Sequence, residues 1–274
     1  FFIRLNTEII IEEGGFSKSR NLIIGDLNNS KYILAAHYDT APELPIPNFL
    51  TPKNYLFYFL YMFLVIMLFM AIEIVLQVLL FLFTDNEFIH MAVYFGTLIF
   101  MLVWVFVGKA NKHTANDNTS GVITLIEALH NEKIKDKVCC VFFDHEEIGL
   151  LGSAYFNKKH KKELENKLLF NFDCVSDGDT IMMILSKTAL NEEENIKNAF
   201  IGNENKNFLI TKSSNTIYPS DQKNFKNHVG VAAFKKNKLC GYYMNRIHTK
   251  KDIIFDEMNI EMIIKGIENY VSGE

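Results

Sequence analysis

The stretch VCCVFFDHEEIGLLGS, Val138–Ser153, decides the fold. Its six unbroken apolar residues, Val138–Phe143, suit a strand covered on both faces, because a half-exposed strand would alternate. An acidic turn then ends the run, and a helix with a Lys-rich outer face is expected over Gly152–Leu164. Further along the chain, Leu168–Phe172 repeats the buried-strand pattern, and Ile181–Leu185, Phe208–Ile210 and Val231–Phe234 are further strand candidates. Phe255–Val271 closes the chain as an amphipathic helix, with Met258, Ile260, Ile263, Ile264 and Ile267 at helical spacing. Towards the N-terminus, Ser120–Asn131 reads as a helix with Val122, Leu125, Ile126 and Leu129 on one face. Before it, Phe1–Ile11, Asn21–Ile24 and Tyr32–Ala36 read as strands, while Ala41–Asn54, with Pro45, Pro47 and Pro52, reads as irregular. The alternation predicts an α/β fold: a mixed, mostly parallel central sheet flanked by helices.

Polar motifs stand at the ends of these runs. His37-Tyr38-Asp39 follows the strand Tyr32–Ala36, Glu146-Glu147 follows Val138–Phe143, and Asp173 follows Leu168–Phe172. Asp117-Asn118 precedes the helix at Ser120, and His248 follows Gly241–Ile247. Singly, each has an ordinary reading: a turn histidine, a helix-capping aspartate, a solvated acidic pair. Together they sit where open α/β sheets carry their chemistry, beyond the carboxyl ends of strands. Two divalent cations about 3.5–4 Å apart need a carboxylate to bridge them and further N/O ligands around each. Histidine and carboxylate without cysteine suit hydrolytic zinc better than a structural site. Of two adjacent glutamates, one can bind metal while the other serves as general base. Asp39 is placed to accept the second ring N–H of His37, and Asp252 to do the same for His248.

The motifs AHYDT (Ala36–Thr40), ANDNTSG (Ala115–Gly121), FDHEEIGLLGS (Phe143–Ser153), NFD (Asn171–Asp173) and IHTKKD (Ile247–Asp252) resemble the M28 family of co-catalytic zinc aminopeptidases. SDQKNFKNHVGV, Ser220–Val231, resembles another segment of that family. The resemblance runs from about Tyr32 to the C-terminus, apart from a hydrophobic insert. It implies two Zn2+ ions, with Co2+ or Mn2+ as possible substitutes. His37, Asp117 and Asp173 would hold one ion, and Asp117, Glu147 and His248 the other, with Asp117 bridging. Glu146 would be the general base in hydrolysis of N-terminal residues from peptides, with Asp39 completing the catalytic set through the ring of His37. The resemblance also implies a cis bond after the bridging aspartate, here Asp117–Asn118. Where the family often has histidine after its Ser-Asp pair, this chain has Gln222, and Tyr218 is a candidate for stabilising the tetrahedral intermediate. His90, His113, His130, His145, His160 and His228 fall in no motif.

The insert consists of two hydrophobic runs, Leu56–Phe83 and Phe88–Val107, joined by the polar turn Thr84–Glu87. Each reaches the roughly 20 residues needed to cross a bilayer. Glu73 and Gln77 are the strongly polar side chains of the first run. A transmembrane hairpin is expected, against the alternatives of a buried helical pair or a dimer interface. The peptidase domain is then discontinuous, 1–44 and 108–274, around an inserted hairpin at 45–107. Lys53, Lys109 and Lys112 flank the hairpin on the domain side, while its turn has no Lys or Arg, so the positive-inside rule puts the peptidase domain in the cytoplasm. Val107 precedes Asp117 by ten positions, so the bridging ligand lies within roughly 35 Å of the end of the second run. The active site is therefore expected to open near the membrane, on peptides released from it or associated with it.

A formal net charge of −4 gives no reason to expect a nucleic-acid partner. Cys139, Cys140, Cys174 and Cys240 form no CxxC pair and read as buried free thiols. No secretory leader is legible, and because the sequence starts at Phe1 without methionine, further residues are expected upstream. Three other functions compete with the aminopeptidase. One is an inactive membrane receptor or scaffold, which the intact motif set disfavours. The others are a zinc carboxypeptidase or amidohydrolase and an enzyme like glutaminyl cyclase.

Overall fold

Residues of β3 (Tyr32–His37) are buried on both sides of the sheet, and their alternation builds two cores. Tyr32, Leu34 and Ala36 face one layer, where Leu125, Leu129, Ile263 and Ile267 pack. Ile33 and Ala35 face the other, against Phe143, Phe156 and Phe225. The computed structural model describes residues 9–15, 18–44 and 46–273, except for the side chains of 105 and 106.

The other strands are β1 (Ile9–Gly14), β2 (Ser19–Ile24), β4 (Val138–Phe143), β5 (Leu168–Phe172), β6 (Thr180–Leu185), β7 (Asn207–Lys212), β8 (His228–Asn237) and β9 (Gly241–Tyr243). They form one sheet in the order β1-β2-β4-β3-β5-β8-β6-β7, with β9 added on β8. The central strands β4, β3, β5 and β8 run parallel. Antiparallel pairings lie outside them, and β7 runs parallel to β6. Helices α3 (Ser120–His130) and α6 (Glu257–Ser272) cover one face, and α4 (Leu151–Lys159) covers the other. This is the mixed sheet between helices that the sequence predicts.

Strands β4 and β5 match their expected bounds residue for residue, as befits runs buried at every position. Of the first expected strand, only the part from Ile9 is described; residues 1–8 lie outside the described residues. The helix expected to reach Leu164 stops at Lys159, where the His160 ring packs 4.7 Å from Phe156 and its Nε2 lies 2.7 Å from Glu12. β8 extends well beyond Val231–Phe234 because Lys235–Asn237 pair with β9, a strand too short to read from sequence. The short helix α5 (Glu193–Ala199) also has no sequence signature, since it buries only Ile196 and Ala199.

Two helices stand apart from the sheet, α1 (Tyr55–Phe81) and α2 (Glu87–Val107). Asn54 and Asn86 cap them, their side-chain oxygens accepting the N–H of Phe57 and of Phe88, both at 3.0 Å. No residue of α1 is buried, nor is any within Glu87–Trp104 of α2, so neither helix is a core element. Both are long and apolar enough to cross a membrane. Near the tip, Gln77 donates to Glu73 at 2.8 Å and its carbonyl oxygen lies 2.7 Å from Nδ1 of His90, tying the helices together. At the neck, Glu43 N–H donates to Lys109 O at 2.8 Å and Pro42 bridges Ala110, so the chain enters and leaves the hairpin side by side.

Candidate metal centre

Parallel strands ending at one edge bring their last side chains together. His37 is the last residue of β3, Asp173 follows β5, and Glu146 and Glu147 follow β4. Asp117 lies in the irregular turn Ala115–Thr119 before α3, and His248 lies beyond β9. The chain turns sharply there: His145, Cys174 and His248 adopt left-handed backbone conformations, uncommon for residues with a Cβ. The Asp117–Asn118 bond is cis.

The aspartate at position 117 faces both ways. Its Oδ1 lies 3.3 Å from His37 Nε2, which is also 3.5 Å from Asp173 Oδ1. Its Oδ2 lies 2.9 Å from His248 Nε2, which is 3.4 Å from Glu147 Oε2. Donor atoms of His37, Asp117 and Asp173 form one group of mutual neighbours, and those of Asp117, Glu147 and His248 form a second. Glu146 stands with His37 and Glu147 in a third. His37, Asp117, Glu146, Glu147, Asp173 and His248 thus converge on one cavity of about 650 Å3, which Asn48, Leu50, Val107, Ile148 and Tyr218 also line, while Asp39 and Asp252 stand outside its lining.

Buried amides and carboxylates hold this arrangement from behind. Asp39 lies 3.4 Å from His37 Nδ1 and accepts the backbone N–H of Glu146 at 3.0 Å and of Glu147 at 3.1 Å. Asp252 does not meet His248 as expected; its carboxylate accepts the N–H groups of Asn116 at 2.8 Å and Asp117 at 3.0 Å. The side chain near His248 Nδ1 is instead Asn48, at 3.4 Å. Asn118 joins three segments, donating to Phe172 O at 3.0 Å and His37 O at 3.4 Å and accepting from Gly121 N at 3.1 Å and Cys174 N at 3.2 Å. Tyr218 is buried, and its hydroxyl donates to Asp173 O at 2.9 Å.

The charge balance of the site favours a cation. Burial drives the Glu146 carboxyl well above its ordinary range, with Asp173, Asp221 and Glu147 adding to it against the pull of His37. Burial and Asp117 push Glu147 to about 8. Burial disfavours charge on the histidines as well, yet the surrounding carboxylates hold His37 well above its usual value and His248 at about 9. Asp117 stays ionised despite burial because His248 and His37 flank it. Without metal, protons on two imidazoles do the work of neutralising converging carboxylates; divalent cations would do it directly. The donor set fits zinc: imidazole and carboxylate, no thiolate, and a buried Asp173 Oδ1 that has no hydrogen-bond partner.

Asp221 is a further member that the sequence reading passed over. It is fully buried, and burial pushes its carboxyl to about 7 against the pull of His37 and Ser153. Its signal was its place in SDQKNFKNHVGV, the segment Ser220–Val231 that resembles the family. The histidines outside the motifs do not join the candidate metal groups among the described residues. The four cysteines are buried and free.

A family model described as Peptidase family M28 matches residues 102–267, more than half of the chain. The match begins inside α2, so His37 and Asp39 lie outside it, although the fold sets them among the matched residues. Among solved structures, a Zn-dependent exopeptidase from Parabacteroides distasonis is 14% identical, with a TM-score of 0.58, over 99% of this chain and 86% of that one. The LapA aminopeptidase of Legionella pneumophila is 13% identical, with a TM-score of 0.56, over 98% of this chain. This chain spans only 58% of LapA's length. Glutaminyl cyclase of Porphyromonas gingivalis is 15% identical, with a TM-score of 0.56, over 98% of this chain and 84% of that one. Curated protein sequences gave no match. At these identities the likeness is one of fold.

Proposed function

The chain belongs to peptidase family M28, and from that premise we propose a di-zinc aminopeptidase held at a membrane by its inserted hairpin. The observation that carries this reading is Asp117, whose two oxygens turn to two different histidines, His37 at 3.3 Å and His248 at 2.9 Å. His37, Asp117 and Asp173 would hold one zinc, and Asp117, Glu147 and His248 the second. Bound zinc would supply Lewis-acid polarisation of the scissile carbonyl and an acidified water.

The protein's own residues do the rest. Glu146 is the proton carrier: its carboxylate lines the cavity beside His37 and Glu147, where it can take a proton from water and pass it to the leaving amine. Asp39 is a positioning residue, fixing the backbone of Glu146 and Glu147 while facing the ring of His37. Asp252 fixes the turn that carries Asp117. Leu50, Ile148 and Leu150 add apolar lining to the cavity that holds the Glu146 carboxyl group.

Residues 1–44 and 108–274 form the catalytic domain, and 45–107 the insert; the paired neck at Glu43 and Lys109 supports that division. The 27-residue and 21-residue helices exceed or match the bilayer's requirement, which supports membrane insertion. Lys53, Lys109 and Lys112 at the neck favour a cytoplasmic catalytic domain.

The test is hydrolysis by detergent-solubilised, zinc-loaded protein of a panel of aminoacyl substrates, alongside N-acetylated peptides, C-terminally blocked peptides and N-terminal glutaminyl peptides. Release of N-terminal residues that N-acetylation abolishes is expected. Cleavage from the C-terminus, or cyclisation of the glutaminyl peptide without hydrolysis, would replace the aminopeptidase with one of the other zinc enzymes.

A further inference from the structure

The hairpin forms part of the lining of the candidate site, and a second cavity adjoins it at Asn48. Asn48 and Leu50, in the segment entering α1, and Val107, the last residue of α2, line the site cavity. On the other side of Asn48, a cavity of about 290 Å3 runs between the two helices, lined by Ile46, Tyr61, Val65, Phe69, Met101 and Trp104 among others. Asn48 lines both. Its amide stands 3.4 Å from His248 Nδ1, so the polar end of the second cavity is the back of a candidate zinc ligand.

The segment that lines both cavities is well anchored. Leu44 N–H donates to His248 O at 2.7 Å, and Leu50 exchanges two backbone hydrogen bonds of 3.0 Å with Met244. The Phe49 ring stacks on Tyr243 at 5.5 Å and packs on Phe57 and Tyr61 of α1. The Tyr61 hydroxyl donates to Pro47 O, so it is already engaged. What the second cavity offers a ligand is mostly aliphatic and aromatic surface in a fixed shape, meeting the candidate hydrolytic site at Asn48.

We infer that the two cavities form one substrate cleft, and that its hairpin end takes a nonpolar segment of a peptide presented from the bilayer, behind the N-terminal residue that is cut. This inference rests on the aminopeptidase reading and names its substrate class. Contact with the site at Asn48 singles out a peptide over a lipid acyl chain, since an acyl chain gains nothing from reaching Asn48 and His248. A soluble, polar peptide would leave its own polar groups without partners against these walls.

The test uses full-length, zinc-loaded protein in phosphatidylcholine vesicles and two peptides with the same N-terminal residues. One continues into a Leu/Ala segment with a photoreactive diazirine leucine; the other continues into Ser/Gly. The nonpolar peptide should be cleaved with kcat/KM about tenfold higher or more, and should label residues of α1 or α2. Val65→Trp, which fills the cavity from α1, should abolish that preference and the labelling, with a short aminoacyl substrate and zinc content unchanged. Met101→Trp fills it from α2, so the loss is readable even if one variant misfolds. Equal kcat/KM for both peptides without labelling overturns the cleft and leaves the peptidase standing. Labelling without hydrolysis supports the cleft and overturns the peptidase. Labelling of the same residues by a diazirine phospholipid that the peptide does not displace assigns the cavity to lipid and overturns the inference.

Discussion

Asp39 holds Glu146 from the backbone: its Oδ1 accepts the Glu146 N–H at 3.0 Å, while its other oxygen accepts the next N–H along the chain. The proposed proton carrier and the proposed ligand beside it are therefore aimed by a residue more than a hundred positions earlier. Asp39→Asn would turn an NH2 group towards one of those N–H groups. A fall in kcat of about 10–100-fold is expected, with zinc affinity reduced as well. Steady-state kinetics at saturating zinc, with zinc titration by calorimetry, check both. Wild-type kcat in the variant would mean that Asp39 does not position Glu146.

A methyl group at position 121 should disturb the same region through packing alone. A Cβ on Gly121 would lie 2.3 Å from Phe172 O and 2.5 Å from Asn118 Oδ1. Neither neighbour is free to yield, because Asn118 joins three segments around the site. Gly121→Ala is expected to cost about 1–3 kcal/mol, typical of overpacking. Thermal unfolding of the metal-free protein reads this directly, as a melting temperature several degrees lower.

His228 sets an acid limit on stability away from the metal centre. It is buried at the start of β8, its Nδ1 lies 2.6 Å from Phe225 O, and burial lowers its pKa below the ordinary value of 6.5. The unfolded chain then binds more protons than the folded one in the window below pH 6.5, so stability rises with pH there. His228 contributes its stability fully above that pH and loses it as the pH falls through the depressed folded value. Denaturant unfolding at a series of pH values should show a shallower acid loss in His228→Gln than in the wild type. Identical slopes would contradict this role.

The hairpin should be separable from the fold. Its neck is closed by Glu43 and Lys109, and the core residue Leu50 lies before α1 begins. Replacing residues 56–106 with a short Gly/Ser linker should therefore leave a folded protein that binds zinc. Carbonate extraction is expected to leave the full chain in the membrane pellet and to release the shortened one. A full chain found in the supernatant would argue that α1 and α2 do not span a bilayer.

How much of this was legible follows from what each residue is surrounded by. β4 and β5 could be read to the residue because every position of β4 and all of β5 but Asn171 are apolar, and His37, Asp117, Glu146, Glu147, Asp173 and His248 announced themselves at the ends of the elements around them. Asp252 shows the limit of spacing arguments. Four residues after His248, it looked set to face that ring, but the turn closed by Asp252 N–H on Thr249 O carries it under the Asn116–Asp117 amides instead. Asn48 was hidden in a proline-rich segment with no periodicity, and its place beside His248 depends on long-range pairing with Met244. Asp221 sits among polar neighbours in sequence and is buried only because β5, β8 and α4 close around its turn. Periodicity reports which face is apolar; it does not report which polar residue the tertiary fold will enclose.

The most direct measurement compares zinc content and N-terminal cleavage in the wild-type protein and in Glu146→Gln, both solubilised in detergent. The account expects close to two zinc ions per chain in each, with cleavage lowered by about 10²–10⁴-fold in the variant, since the proton carrier is lost while every proposed ligand stays. Zinc lost together with activity would make Glu146 a ligand and not the base, and undiminished cleavage in Glu146→Gln would contradict the mechanism outright.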